Sequence, residues 1–139
     1  ARDRSFDLAV IDTAPHNSHE AAACASVSDC VYIPTRPAIL DLDAIGATTG
    51  LVQEIQARAW IILNACPPAT RGHEPRIVAE AREALTSYQV PVCAEAVSQR
   101  AAFSHALIDG RAVTEFDAHG KAATEISALW QRIRGDLNQ

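Results

Sequence analysis

Three observations predict an α/β fold, a doubly wound and mostly parallel sheet with flanking helices, in a single domain over residues 1–139. Short, almost unbroken apolar runs recur along the chain, the pattern of strands covered on both faces in a parallel sheet. Segments with apolar residues at helical spacing separate them, long enough to serve as βαβ crossovers. With 139 residues, 48% of them hydrophobic and 21% charged, the chain can bury one core of ordinary composition.

The expected strands are "DLAVID" (7–12), "CVYIPT" (30–35), "WIILNA" (60–65) and "VPVCAEAV" (90–97). Ser18 is the expected N-cap of a short helix through "HEAAACASVS". "LDLDAIGATTGLVQEIQAR" (40–58) repeats apolar residues at Leu42, Ile45, Leu51, Val52 and Ile55, as one long helix would. Asp41 and Asp43 stand at its start, where the helix dipole favours acids. "EPRIVAEAREALTSYQ" does the same through Ile77, Val78, Ala81 and Leu85, with Pro75 near the first turn, where a missing N–H is harmless. His105 is expected to pack near the sheet, and Asp117 or Gly120 to close the turn into the last helix. That helix, "KAATEISALWQRIRGDL", is expected to set Ala122, Ile126, Leu129, Trp130 and Ile133 on one stripe.

Bulk properties narrow the function. A formal net charge of −5 argues against wholesale nucleic-acid binding, although eleven arginines against the single Lys121 leave room for local basic patches. No run approaches the roughly 18 apolar residues of a membrane span, and no signal peptide is evident, so a cytoplasmic, membrane-free protein is expected. The four cysteines lack metal or redox spacing and read as small hydrophobes, without disulfides. There is no methionine, and the chain begins almost directly on a strand, which suggests that its beginning lies elsewhere.

In open α/β sheets ligands bind outside the carboxyl ends of the strands. Those ends read Asp12-Thr13-Ala14-Pro15, Pro34-Thr35-Arg36-Pro37, Asn64-Ala65-Cys66-Pro67-Pro68 and Ser98-Gln99-Arg100. Asp12 fits two roles. A carboxylate delivered by an apolar strand is how nucleotide hydrolases hold Mg²⁺, and an Asp there also caps helices or anchors Asx-turns. His16 and His19 lack the further ligands of a metal site and read as a solvated helix start. No serine has the setting of a hydrolase nucleophile.

The blocks "FDLAVIDTAPHNS", "SDCVYIPTRPAILDLDAIGATTGLV", "IILNACPPATR" and "VPVCAEAVSQRAAFSHALIDGRAVTEFDAHGKAATEISALWQRI" come in an order that resembles the ParA/MinD-type partition ATPases. These are deviant-Walker P-loop proteins, and the small plasmid-partition members look nearest. The resemblance runs along nearly the whole chain. It implies a P-loop NTPase-like fold, ATP or ADP with Mg²⁺ as cofactors, a homodimer, nonspecific DNA and a ParB-like centromere-binding partner. It also implies nucleoid association of the intact protein. Residue by residue, it implies that Asp12 is the Walker B acid on the metal side. Thr13, Ala14 and Pro15 would then belong to the switch loop. Asn64 would meet the adenine edge, and the loop from Ser98 to Arg100, with Gln99, would lie near the base or ribose. Arg71 and Arg100 fall where relatives carry DNA-binding arginines.

One element of that family is missing from the sequence: a Gly-rich loop with two lysines, K-G-G-x-x-K-[ST], and the strand before it. "AIGATTG" (44–50) has glycines but no lysine, and Lys121 cannot replace two. Without such a loop no row of backbone N–H groups cradles the phosphates. The strand it would bring is the one expected beside "DLAVID", and parallel edges would stay unpaired. The expectation is therefore the C-terminal two-thirds of a ParA-like ATPase, inactive as this chain alone. The alternatives are a loop-less scaffold or binding module that engages a partner protein, and an unrelated doubly wound domain.

Overall fold

The computed structural model describes residues 6–13 and 18–138. In chain order the elements are α1 (Ser18–Val27), β1 (Val31–Thr35), α2 (Ile39–Ala44), α3 (Gly46–Glu54), β2 (Ala59–Cys66) and α4 (Arg76–Leu85). After them come β3 (Val92–Ser98), α5 (Ala101–Ile108), α6 (Val113–Phe116) and α7 (Lys121–Leu137). The chain is α/β: three parallel strands in the order β1-β2-β3, flanked by helices.

β2 is central, and its alternation feeds both faces. Ile61 and Leu63 enter one core with Ile33, Val52 of α3, and Val78, Ala81 and Leu85 of α4. Trp60 and Ile62 enter the other with Cys93 and with Leu129 of α7. Both crossover connections therefore share a face, and α7 covers the opposite one. A smaller cluster of Ala106, Val113 and Ala122, with Phe103, Phe116 and Ile126, joins α5 and α6 to α7.

Helix α7 is held at two levels. Glu125 lies beside Ser98 and Arg100, and Asp136 accepts a hydrogen bond from the Tyr32 hydroxyl at 2.8 Å and one from Arg132 Nε at 2.8 Å. Eleven residues separate the two acids, three helical turns and about 16 Å, so both face the sheet. Ser98 ends β3 and Tyr32 lies near the start of β1, so α7 runs antiparallel to the strands. At its start Gly120 is the N-cap, in a turn where the Asp117 carboxylate leaves no room for a Cβ.

The edges of the sheet are treated differently. Arg82 of α4 donates to the carbonyls of Cys93 (2.6 Å) and Ala94 (2.7 Å) and pairs with Glu74 (2.9 Å), which ties down β3. On β1, Val31 N–H donates to Arg58 C=O across to β2, so Tyr32 and Pro34 turn toward the free edge. A proline is tolerated there because an edge position needs no donor.

Several expectations need correction. "DLAVID" (7–12) is not a strand: residues 6–13 pair with none of the described strands and are exposed, Val10 to 84%. An apolar run becomes a strand only where an edge accepts its backbone groups, and Pro34 removes one rung from the free edge of β1. Asp12 accordingly does not stand at a strand end. The helix expected over 40–58 is broken at Ile45. Tyr88 inserts there: its hydroxyl donates to Leu42 C=O at 2.8 Å and its ring lies against Gly46. Trp130 leaves the buried stripe of α7 and is exposed, as is Ile77 on α4. His105 lies edge-on to Phe116 of α6 rather than against the sheet. No helix among the described residues is long and apolar enough to cross a membrane.

Tyr32→Phe removes the hydroxyl donor to a buried carboxylate and should cost about 1.5 to 3 kcal/mol, read from the urea midpoint at unchanged slope. An unchanged midpoint would mean that the Tyr32–Asp136 contact does not anchor α7, since the remaining partner of Asp136, Arg132, lies on the same helix.

Candidate functional site

The carboxyl ends of the three strands open into a cleft of about 520 Å³. Its floor is apolar, with Pro34 of β1, Ile62 of β2, Val97 of β3, Phe103 of α5, and Ile126 and Leu129 of α7. Its rim is polar, with Asn64, Ser98, Gln99, Arg100 and Ser104. An apolar body with a few convergent polar groups is the usual form of a small-molecule site.

The rim is assembled by the ladder between β2 and β3. The rungs shift between Leu63↔Ala96 and Cys66↔Ser98, so β2 carries an irregularity at Asn64 and Ala65. Ala65 takes φ 51, a left-handed conformation that costs a non-glycine residue about 1–2 kcal/mol. Its N–H donates to the Asn64 side-chain Oδ1 at 2.8 Å. One residue later the strand pairs again, and Gln99 N–H donates to Cys66 C=O at 2.8 Å. The result brings Asn64 and Gln99, 35 positions apart in the chain, to one rim, with both residues exposed. Bulges at strand ends commonly re-aim side chains beside functional sites.

Beside them, Ser98 donates to Glu125 through its N–H (2.9 Å) and its hydroxyl (2.9 Å). Arg100 donates to Glu125 Oε1 from Nε (3.2 Å) and Nη2 (2.6 Å). Burial pushes the Glu125 carboxyl up, but the Arg100 guanidinium and the two Ser98 donors outweigh it and hold the group below the usual glutamate range. Burial also pushes both interior thiols up, Cys93 to about 11, so neither is a thiolate at neutral pH. All four cysteines are free.

The remaining expected residues are dispersed. Asp12 and Thr13 lie on the exposed segment 6–13 and do not line the cleft, and Pro15 falls outside the described residues. Arg71 sits on a tight turn closed by the Thr70–His73 bridge, exposed, with φ 52. Lys121 opens α7 and is not a lining residue. A second recess of about 390 Å³ lies at the opposite end of the sheet, around Trp60, Gln131, Arg132, Gly135 and Asp136. Arg58 and Arg132 sit over the Trp60 ring, at 4.8 and 5.8 Å from its centroid, and Arg132 is paired with Asp136, which makes this a packing node.

Glu125 and Ala65 were not among the expected site residues, although Glu125 falls in the stretch "GKAATEI" of the last resembling block. The available signal for Glu125 was its place on the Ala122–Ile126–Leu129 face of the last helix, where a lone acid is unusual. For Ala65 there was none. Compared with known protein families and with curated proteins, the chain matches none.

Glu125→Gln should lower stability by about 1 to 2 kcal/mol at pH 7, by weakening charge-assisted hydrogen bonds. The folded-state pKa lies below the unfolded value of about 4.3, so the unfolded chain takes up the proton first. Glu125's contribution is therefore complete above that value and is lost as the pH falls through it toward the folded one. The thermal midpoint of Glu125→Gln should fall less steeply with acid than that of the wild type. Asp136, which burial raises but Arg132 and Tyr32 hold low, contributes in the same direction in both proteins. Parallel acid profiles would remove Glu125 from the acid response.

Proposed function

We propose that this chain is the nucleoside-reading part of a ParA/MinD-type partition ATPase with a P-loop NTPase-like architecture. The observation that most supports this is the convergence of Asn64 and Gln99 on one cleft at the carboxyl end of the sheet. Those are the two positions that the resemblance assigns to the base and its ribose, and both line a cleft of about 520 Å³ with an apolar floor. Ser98, Arg100 and Ser104 complete the polar rim.

The fit covers the nucleoside and stops there. The phosphates and Mg²⁺ of ATP need a lysine-bearing loop and a metal-binding carboxylate at the cleft, whereas neither Lys121 nor Asp12 lines it. In this reading Asp12, Thr13 and Pro15 act on the metal and γ-phosphate side only within the intact protein. That protein would dimerise with ATP, bind DNA nonspecifically and answer to a ParB-like partner, and this chain alone hydrolyses nothing. Of the two arginines assigned to DNA, Arg71 stands open to solvent. Arg100 is held by Glu125, and a phosphate would have to compete for it.

The four aliphatic side chains Ile39, Leu40, Leu107 and Ile108, each at least 77% exposed, favour a second reading. In it the chain is a loop-less ParA-like module that engages a partner protein and has no catalytic role.

Titration of ¹⁵N-labelled chain with adenosine should move the amide signals of Asn64, Ala65 and Ser98 to Phe103. Asn64→Ala and Gln99→Ala should each weaken binding by about fivefold or more, as loss of about 1 kcal/mol or more per hydrogen bond implies. Signals that move elsewhere, or not at all, would remove the nucleoside reading. ATP incubated with Mg²⁺ and this chain should release phosphate no faster than buffer, and turnover at an enzymatic rate would overturn the inactive assignment.

A further inference from the structure

Among the described residues that line the cleft, Arg100 alone carries a charge. A bare guanidinium beside an apolar floor selects anions, phosphate above all, because its planar fork matches the phosphate oxygens. Arg100 is not bare. Its Nη2 and Nε both donate to Glu125 Oε1, at 2.6 and 3.2 Å. Glu125 is not itself a lining residue, so the charge is cancelled from outside the cleft wall.

The carboxylate cannot turn aside cheaply. The Ser98 N–H and hydroxyl each hold it at 2.9 Å, and it anchors α7 to the end of β3. Both side chains of the ion pair are only 21% exposed, so solvent and salt screen them less than a surface pair. Burial alone would raise the Glu125 carboxyl, but Arg100 and the Ser98 donors hold it below the usual range, and its charge is present at neutral pH.

We infer that Glu125 is a specificity-determining residue, which cancels the charge of Arg100 and so keeps the cleft for an uncharged ligand, or for the uncharged part of one. This goes beyond the nucleoside reading and does not require it. The exclusion is electrostatic and not steric. Arg100 has five N–H groups and Glu125 does not use them all, but an anion that reached the others would also lie close to the carboxylate. Attraction to one charge and repulsion from the other then nearly cancel. What a ligand meets instead are the exposed, neutral groups of Asn64, Gln99 and Ser104, which suit hydroxyl, carbonyl and amide partners. The same pairing withholds Arg100 from nucleic-acid phosphates.

The probe is inorganic phosphate, titrated at constant ionic strength against ¹⁵N-labelled wild type, Glu125→Gln and the double variant Glu125→Gln/Arg100→Gln. Gln has nearly the shape of Glu and still offers Arg100 an acceptor, so the substitution chiefly removes charge. Phosphate should bind Glu125→Gln about tenfold or more tightly than wild type, read from the amide signals of Ser98 to Ser104. That is the effect of removing one negative charge about 6 Å from the anion at an effective dielectric of about 40. The double variant should lose the gain. A merely loosened α7 would give no gain that depends on Arg100. An unchanged affinity in Glu125→Gln, or a gain that survives in the double variant, would overturn the inference. Should Glu125→Gln fail to fold, wild type decides alone. Cleft signals that move with a phosphate dissociation constant of about 1 mM or tighter would overturn the inference, and signals unmoved to about 50 mM would support it. A phosphate gain in Glu125→Gln without any response to adenosine would remove the nucleoside reading and leave the role of Glu125 standing. An adenosine response without the phosphate gain would do the reverse.

Discussion

The docking of α7 on the back of the sheet is the constraint on which the rest of this structure depends. Two acids three turns apart, Glu125 and Asp136, take hydrogen bonds at opposite ends of the strands, from Ser98 and Arg100 at one end and from Tyr32 at the other. Between them Ile126 and Leu129 add apolar contact. Paired acids on a buried helix face are costly unless every partner is present, so they define one axial position for the helix. Moving α7 by one turn along its axis would carry both carboxylates away from their donors.

That placement also makes the cleft. Ile126 and Leu129 join Val97 and Ile62 in its apolar floor, and α5 begins at Ala101, directly after the β3 rim. Glu125 holds Ser98 and Arg100 beside the opening, so the same acid that anchors the helix also orders the polar edge of the site. The left-handed Ala65 lines the same cleft. A strained residue persists where its surroundings over-determine it, and here the rungs Leu63↔Ala96 and Cys66↔Ser98 bracket it on both sides.

Around this core the chain exposes several large aliphatic side chains. They occur on segment 6–13, at the end of α1, at the start of α2, on α4 and at the end of α5. Ile39 and Leu40 follow β1, and Leu107 and Ile108 close the helix after β3, so both pairs belong to connections that leave the carboxyl side of the sheet. The free edge of β1 and the unpaired run "DLAVID" belong to the same picture. Among the described residues, no strand pairs with the outer edge of β1, and these side chains stay in solvent.

The sequence by itself determined the elements with strong local signals. "CVYIPT", "WIILNA" and "VPVCAEAV" correspond to β1, β2 and β3, and "KAATEISALWQRIRGDL" forms α7 residue for residue, because apolar periodicity and the Gly120 cap act locally. It also nominated Asn64 and Gln99, since polar residues at strand ends are visible without knowing the sheet. Pairing was not local. "DLAVID" is as apolar as the true strands, but a strand exists only when another offers it hydrogen bonds, and that depends on which edge is open. The break at Ile45 needed Tyr88, 43 positions away, to reach Leu42 C=O. The anchoring of Glu125 needed Ser98 and Arg100, and the left-handed turn at Ala65 needed a shifted register between two strands. Each of these is a contact between distant parts of the chain, and only the tertiary structure decides which distant parts meet.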